Sequence, residues 1–431
     1  MGDERTYHFS ERIGLMGLYL FALFAYLGVA IAHIGLLLML MAALMQWRVF
    51  GSALRRSPLP QLVLCVLGIV LISAVMAVAS HPEQADAHWA GFGDVLQLWL
   101  FLLTAWWMGG QTSRTVTALT LTLIGFVLGT MKVMEWDDLQ RLLAFNRPHF
   151  RWSINAFGQY AASGLLGIGL LSPRLWRWSA GRRGGLLARA AAVAFAGLML
   201  SGVILSLSRG VWLSLLVVTT GLAVLAWRLR GGRRPRQLRR WALFGAVLLA
   251  FGLLLPGNPA AVRLNQIVEP FAQFLAANGD LSAVDDISFR ERLGILSLGV
   301  DSWGQAPWIG LGPGAPGLIL RANQARFVSG STYTDFHALP LDLLVAFGIL
   351  GTLALSALLV SVLVLAWRGY TAGCLPSDLF LTVVGLSVFN VLCQMTDTRI
   401  FSIHGRFFWI LVAGAACSCW LRARVSVVRS M

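Results

Sequence analysis

The run LPLDLLVAFGILGTLALSALLVSVLVLAW, residues 339–367, decides the fold. It stays apolar well beyond the roughly 20 helical residues that cross a hydrocarbon core, so it reads as a transmembrane helix. Working outward, comparable segments lie at 13–26, 28–47, 60–79, 92–108, 115–133, 154–171, 189–206, 210–227, 241–256, 379–396 and 403–421. With the opening run they make twelve. Residues 13–47 read almost continuously, with Gly28 as the one obvious break, and a single long helix there would make eleven.

Composition points the same way. Hydrophobic residues make up 57% of the 431 and charged residues only 12%, against about 25% charged in soluble domains. The expected fold is therefore an all-α polytopic membrane protein with about twelve transmembrane helices. Its expected divisions are nine helices over 1–256, a large helical outer loop over 257–338, and three helices over 339–431. The N-terminal MGDERTYHFSER carries both signs of charge and lacks a cleavage pattern, so the first apolar run is expected to stay as a helix. Cys65, Cys374, Cys393, Cys417 and Cys419 fall in apolar runs or in a loop placed on the inner side, which predicts no disulfide framework.

The net charge of +15 is carried by 34 cations, all but Lys132 being Arg. With twelve spans and the N-terminus inside, 22 of them fall in inner loops, as the positive-inside rule requires. Both termini are then cytoplasmic. Orientation explains these arginines, and no zinc-finger, recognition-helix or basic–aromatic pattern argues for nucleic acid. The other 12 lie on the outer side: Lys132, Arg141, Arg147, Arg151, Arg209, Arg263, Arg290, Arg292, Arg321, Arg326, Arg399 and Arg406. Taken singly, each suits a side chain snorkelling to headgroups. As a cluster they suit an anion.

Within the outer loop, PAAVRLNQIVEPFAQFLAANG places Leu264, Ile267, Val268, Phe271, Phe274 and Leu275 on one stripe, predicting an amphipathic surface helix. Ser288 followed by Glu291 has the spacing of a capping box, opening a second helix that ends before Pro307 and carries Arg290 in its first turn. A helix N-terminus joined by Arg290 and Arg292 makes an anion site. The same pattern also suits a plain surface helix whose arginines pair with Asp285, Asp286 or Glu291. GLGPGAPG at 310–317 lacks the ending of a nucleotide P-loop and reads as a turn. His337 stands where the loop re-enters the membrane, at a place for a proton acceptor near neutral pH. Adjacent acids such as Asp137–Asp138 and Asp285–Asp286 do not make a metal site, and neither a metal nor another cofactor is expected.

Three stretches carry a resemblance: SLSRGVWLSLL at 206–216, FRERLGILSLGVDSWGQAPWIGLGPG at 289–314 and TDFHALPLDLLVAFGILG at 334–351. Together they resemble the O-antigen ligase and Wzy-type polymerase superfamily. There a Ser-Arg-Gly opens a span, an Arg precedes a helix leading to a Gly-rich turn, and a His begins the span after the large periplasmic loop. This chain departs at Ala338, where a small polar residue is common, and at Phe347.

The resemblance implies a GT-C-like, metal-independent, inverting glycosyltransferase in the bacterial inner membrane with a periplasmic active site. Its donor would be an undecaprenyl-pyrophosphate-linked glycan and its acceptor lipid A core. Arg209 and Arg290 would stabilise the pyrophosphate, Lys132, Arg147, Arg151 and Arg292 would assist in binding, and His337 would take the acceptor hydroxyl's proton. A Wzy-type polymerase, a protein O-oligosaccharyltransferase and, outside the class, a lipid-linked glycan flippase compete. Oligomeric state is not legible in the sequence.

Overall fold

A computed structural model describes residues 2–55, 58–143, 153–229, 259–280, 283–327 and 332–429. These residues are helical, with no strand among them. The helices are α1 (Gly2–Phe24), α2 (Val29–Met45), α3 (Trp47–Arg55), α4 (Pro58–Ser80), α5 (Ala85–Gln97), α6 (Phe101–Met108), α7 (Thr112–Val133) and α8 (Trp136–Leu143). They continue as α9 (Ile154–Ser179), α10 (Gly185–Leu205), α11 (Arg209–Leu229), α12 (Pro259–Ala276), α13 (Ile287–Gln305), α14 (Ala315–Ala322), α15 (Leu339–Thr371), α16 (Ser377–Cys393) and α17 (Ile403–Arg429).

Seven of the helices are long and apolar enough to cross a membrane: α4, α7, α9, α10, α11, α15 and α17. The chain is a polytopic helical membrane protein. The expected break at Gly28 separates α1 from α2, and Gly28 itself is the extended N-cap of α2. Other expected spans are not simple rods. The 28–47 segment continues into α3 across a 91° bend. The 92–108 segment is divided between α5, a 3-10 turn at Leu98–Leu100, and α6. The 379–396 segment is the 17-residue α16. Hydropathy registers the run of apolar residues and is blind to where the backbone turns. The expected span at 241–256 lies outside the described residues.

Ion pairs fasten the end of the bundle where α9 meets α16. Arg174 on α9 grips Asp378 on α16 through two hydrogen bonds of 2.7 Å, and Arg114 on α7 pairs with Glu11 on α1. Cations that the sequence explains by orientation thus also join helices. At this end Cys374 and Cys419 pair as a disulfide, contrary to the expectation of none. The pairing depends on α15–α16 turning back against α17, which brings together residues 45 positions apart.

The outer-loop helices fold onto the start of α15. Ile295, Ala315, Leu320, Phe327, Phe336, Leu341 and Val345 form a core separate from that of the bundle. On α12, Val268, Phe271 and Leu275 are exposed, as a surface-lying amphipathic helix requires.

The GLGPG turn has a specific structural use. Gly348, at φ +62°, breaks α15, and such a break strands backbone groups that lipid cannot satisfy. The preceding loop supplies the partners. Leu311 and Gly312 donate to the carbonyls of Val345 and Ala346, while Ile349 and Leu350 donate to those of Pro307 and Trp308. Backbones pack so closely there that a Cβ on Gly348 would lie 2.3 Å from the carbonyl carbon of Trp308, and one on Gly310 2.5 Å from that of Ala346.

Candidate active site

The segment that leads into α15 carries Tyr333, Asp335 and His337. His337 has φ +56°, a left-handed conformation that costs a non-glycine residue energy and persists only where its surroundings enforce it. Two anchors do so. Asp335 Oδ1 accepts the backbone N–H of His337 at 3.0 Å, and the buried Asp342, in the first turn of α15, accepts the N–H of Phe336 at 2.9 Å. Asp342 also accepts from Thr398, clamping the loop to the 394–402 turn between α16 and α17.

That turn supplies the second half of the site. The Gln394 side-chain carbonyl accepts from the backbone of Arg399 and Ile400, and its own backbone carbonyl accepts from Leu339. Asp397, buried, is thereby set 3.6 Å from His337 Nδ1, with Asp335 Oδ1 at 3.1 Å from the same nitrogen. Arg399 pairs with Asp397 at 2.8 Å and donates to Ser153 Oγ, beside the start of α9, at 2.7 Å.

The electrostatics follow from this placement. Burial alone would lower the basicity of His337, but hydrogen bonds and charge from Asp335 and Asp397 outweigh it and raise the pKa to about 9. Burial would push the Asp397 carboxyl up, and the His337 hydrogen bond together with Arg399 instead holds it below the usual carboxylate range. With both carboxylates at Nδ1, Nε2 is the ring nitrogen left to exchange a proton with a ligand. Asp335, His337 and Asp397 offer ligand atoms within 4.8 Å of one another, a spacing open to a metal ion. Arg399 on Asp397 works against a cation there, since it already neutralises one of the two carboxylates.

The second outer helix also touches the site, though not by the expected cap. Its N-cap is Asp286, accepting from Phe289 N–H at 2.8 Å, and Ser288 lies inside the helix. Asp caps at least as well as Ser and begins the helix two residues earlier. Glu291 is turned inward and accepts a 2.7 Å hydrogen bond from Tyr333 Oη, whose ring stands edge-on to His337 at 5.4 Å. Arg290 therefore sits beside a residue joined to the histidine loop.

Arg209 opens α11 at the expected Ser-Arg-Gly, and its neighbour Gly210 packs against Thr396, next to Asp397. Arg292 is exposed on α13. Lys132, also exposed, ends α7 with Nζ 3.5 Å from the carbonyl of Leu27, away from the histidine loop's own contacts. Arg147 and Arg151 lie outside the described residues.

Residues 194–356 match the O-antigen ligase family. The match supports an O-antigen ligase family assignment; members of that family are glycosyltransferase-like enzymes of O-antigen and lipopolysaccharide biosynthesis. No curated protein matches the chain. The stretch assigned to the O-antigen ligase family holds Arg209, Arg290, Tyr333, Asp335 and His337. Asp397 and Arg399 lie beyond it. The sequence offers one signal for them, a charged Asp397-Thr398-Arg399 in the short turn between two apolar segments, yet Arg399 read as one snorkelling arginine among several. Asp335, two residues before His337, was within reach of the motif but carried no sign that its side chain turns back on the ring.

Proposed function

We propose that the protein is an O-antigen ligase, an inverting glycosyltransferase that moves a glycan from undecaprenyl pyrophosphate to lipid A core at the periplasmic face of the bacterial inner membrane. The observation that carries this reading is His337 held at Nδ1 by Asp335 and Asp397 within one short reach of the elements bearing Arg209 and Arg290.

The chemistry needs two things. The acceptor hydroxyl attacks the anomeric carbon while its proton passes to Nε2, and the bond from that carbon to phosphate oxygen breaks, leaving its electron pair on the pyrophosphate. A positioned base contributes on the order of 10²–10⁴ in rate, and carboxylates at Nδ1 stabilise the imidazolium that forms. Arg209 and Arg290 stabilise the charge growing on the leaving group, which fixed cations in a water-poor site do better than solvent. Arg292, Arg147, Arg151 and Lys132 assist donor binding. The pyrophosphate leaves without an acid, and the arginines take the part a metal would play.

In this reading the architecture is GT-C-like with twelve spans. The seven long helices are joined by α1, the bent α2–α3 pair, the α5–α6 segment, α16 and the apolar segment 241–256. Both termini are cytoplasmic. The purified protein given undecaprenyl-pyrophosphate glycan should extend lipid A core by one glycan unit without added metal. Growth of the glycan on its own would instead assign a Wzy-type polymerase, and vesicle transport without any new bond would assign a flippase.

A further inference from the structure

Asp342 is an acid at the edge of a long apolar helix, with only 1% of its surface exposed. Burying a carboxylate there is costly and needs a reason. Part of the compensation is local, since Asp342 stands in the first turn of α15, where unpaired helix N–H groups favour negative charge. The rest comes from two neutral donors, one on each half of the candidate active site. Oδ1 accepts the N–H of Phe336 at 2.9 Å, and Oδ2 accepts the hydroxyl of the buried Thr398. Phe336 directly precedes His337, and Thr398 directly follows Asp397.

A second link joins the same elements. The N–H of Leu339, at the start of α15, donates to the backbone carbonyl of Gln394 at 2.9 Å. One hydrogen bond of this kind is a pivot about which the 394–402 turn could still rotate. The tie from Asp342 to Thr398, four residues along the turn, removes that rotation, on which the reach of Asp397 to Nδ1 depends. The other oxygen acts on the strained side. The Phe336 ring is fully buried against Gly299 of α13, so with its N–H also tied the backbone next to the left-handed His337 is held at both ends. Releasing that N–H would let residue 337 relax toward negative φ and swing the imidazole away.

We propose that Asp342, together with Thr398, is a positioning residue: its two oxygens set the separation and orientation of His337 and Asp397, and it acts through them rather than on substrate. The proposal rests on the reading of His337 as the base and adds what holds the base and its partner carboxylate in register. The titratable and charged groups around the ring are Tyr333 and Asp335 from its own loop, Asp397 with Arg399 from the turn, and Glu291 of α13 through Tyr333. Asp342 itself is near enough to feel the charge of His337.

The test reads the histidine as well as turnover. Full-length protein carrying isotope-labelled histidine is placed in liposomes, and the His337 ring signal, assigned by its loss in His337→Ala, is titrated by solid-state NMR. In the wild type the ring should hold its proton up to about pH 9. Thr398→Val keeps the shape of the side chain and deletes the hydroxyl, so its titration should move to lower pH. Its kcat should fall roughly 10²-fold, the scale of an ångström's misplacement, with little change in KM for the donor. Asp342→Leu removes both ties and should lose at least as much. Asp342→Asn, whose amide can accept from Phe336 and donate to the Thr398 hydroxyl, should recover much of that loss.

An unchanged His337 titration in folded Thr398→Val overturns the proposal and leaves the clamp a matter of stability alone. If Asp342→Leu does not fold, Thr398→Val decides. A shifted titration with unaltered transfer would leave Asp342 as the residue that sets the His337–Asp397 pair and remove the base role of His337.

Discussion

The Oδ1 atom of Asp335 serves His337 twice: it accepts the backbone N–H at 3.0 Å and lies 3.1 Å from the ring nitrogen Nδ1. One carboxylate thus fixes both the strained backbone of the histidine and the orientation of its imidazole. Asp397, brought in from a turn 60 residues later, approaches the same nitrogen from outside the loop.

The first expectation concerns pH. A pKa near 9 keeps His337 protonated through neutrality, so a base role requires kcat/KM to rise with pH and level off above about 9. Asp335→Asn and Asp397→Asn each remove a charge that favours the imidazolium. Their rising limb should move to lower pH, with a lower plateau because the proton is held less firmly. A profile that falls through pH 9 would mean that the cationic form acts.

His337→Ala should abolish transfer while donor binding, read by equilibrium binding of undecaprenyl pyrophosphate, persists. Arg290→Ala and Arg209→Ala should weaken that binding and also lower kcat, by roughly 10²–10³ for the loss of one charge-stabilising donor. Retention of full activity by any of the three would remove its assigned role.

Tyr333→Phe keeps the ring against His337 and deletes only the hydroxyl that meets Glu291. The buried Glu291 carboxylate loses a hydrogen-bond donor, at a cost of about 1–3 kcal/mol. If this link holds the α13 arginines in register with the histidine, kcat should fall with little change in the pH at which activity rises. Glu291→Gln with Tyr333 in place, which can still accept from its hydroxyl, should retain much of the activity.

Gly348→Ala tests the broken helix. The new Cβ would meet the Trp308 carbonyl carbon at 2.3 Å and occupy a φ of +62°. Closure of the break would eject the 307–312 loop from its backbone hydrogen bonds, so melting temperature and activity should fall together. Gly373→Ala, also at positive φ but in open space, should lower stability much less.

Incubation with a chelator should leave transfer intact, since Arg399 already occupies one carboxylate of the Asp335–His337–Asp397 group. Loss of activity restored by magnesium would instead make that group a metal site.

The apolar runs determined the class of fold by themselves, because lipid admits a long uncharged segment only as a helix with its backbone bonds made internally. Likewise, Arg209 at a helix start, Arg290 in a first turn and His337 at the mouth of α15 were legible from local spacing, since caps, turns and breaks are set by neighbours in the chain. What lies across the chain was not. Asp397, Arg399, the Glu291–Tyr333 link and the Cys374–Cys419 bond each join residues whose spacing carries no periodic or motif signal. Only tertiary packing brings them together: α13, α15 and the 394–402 turn meet around His337 and set its proton affinity, and α17 returns against the α15–α16 turn at the disulfide.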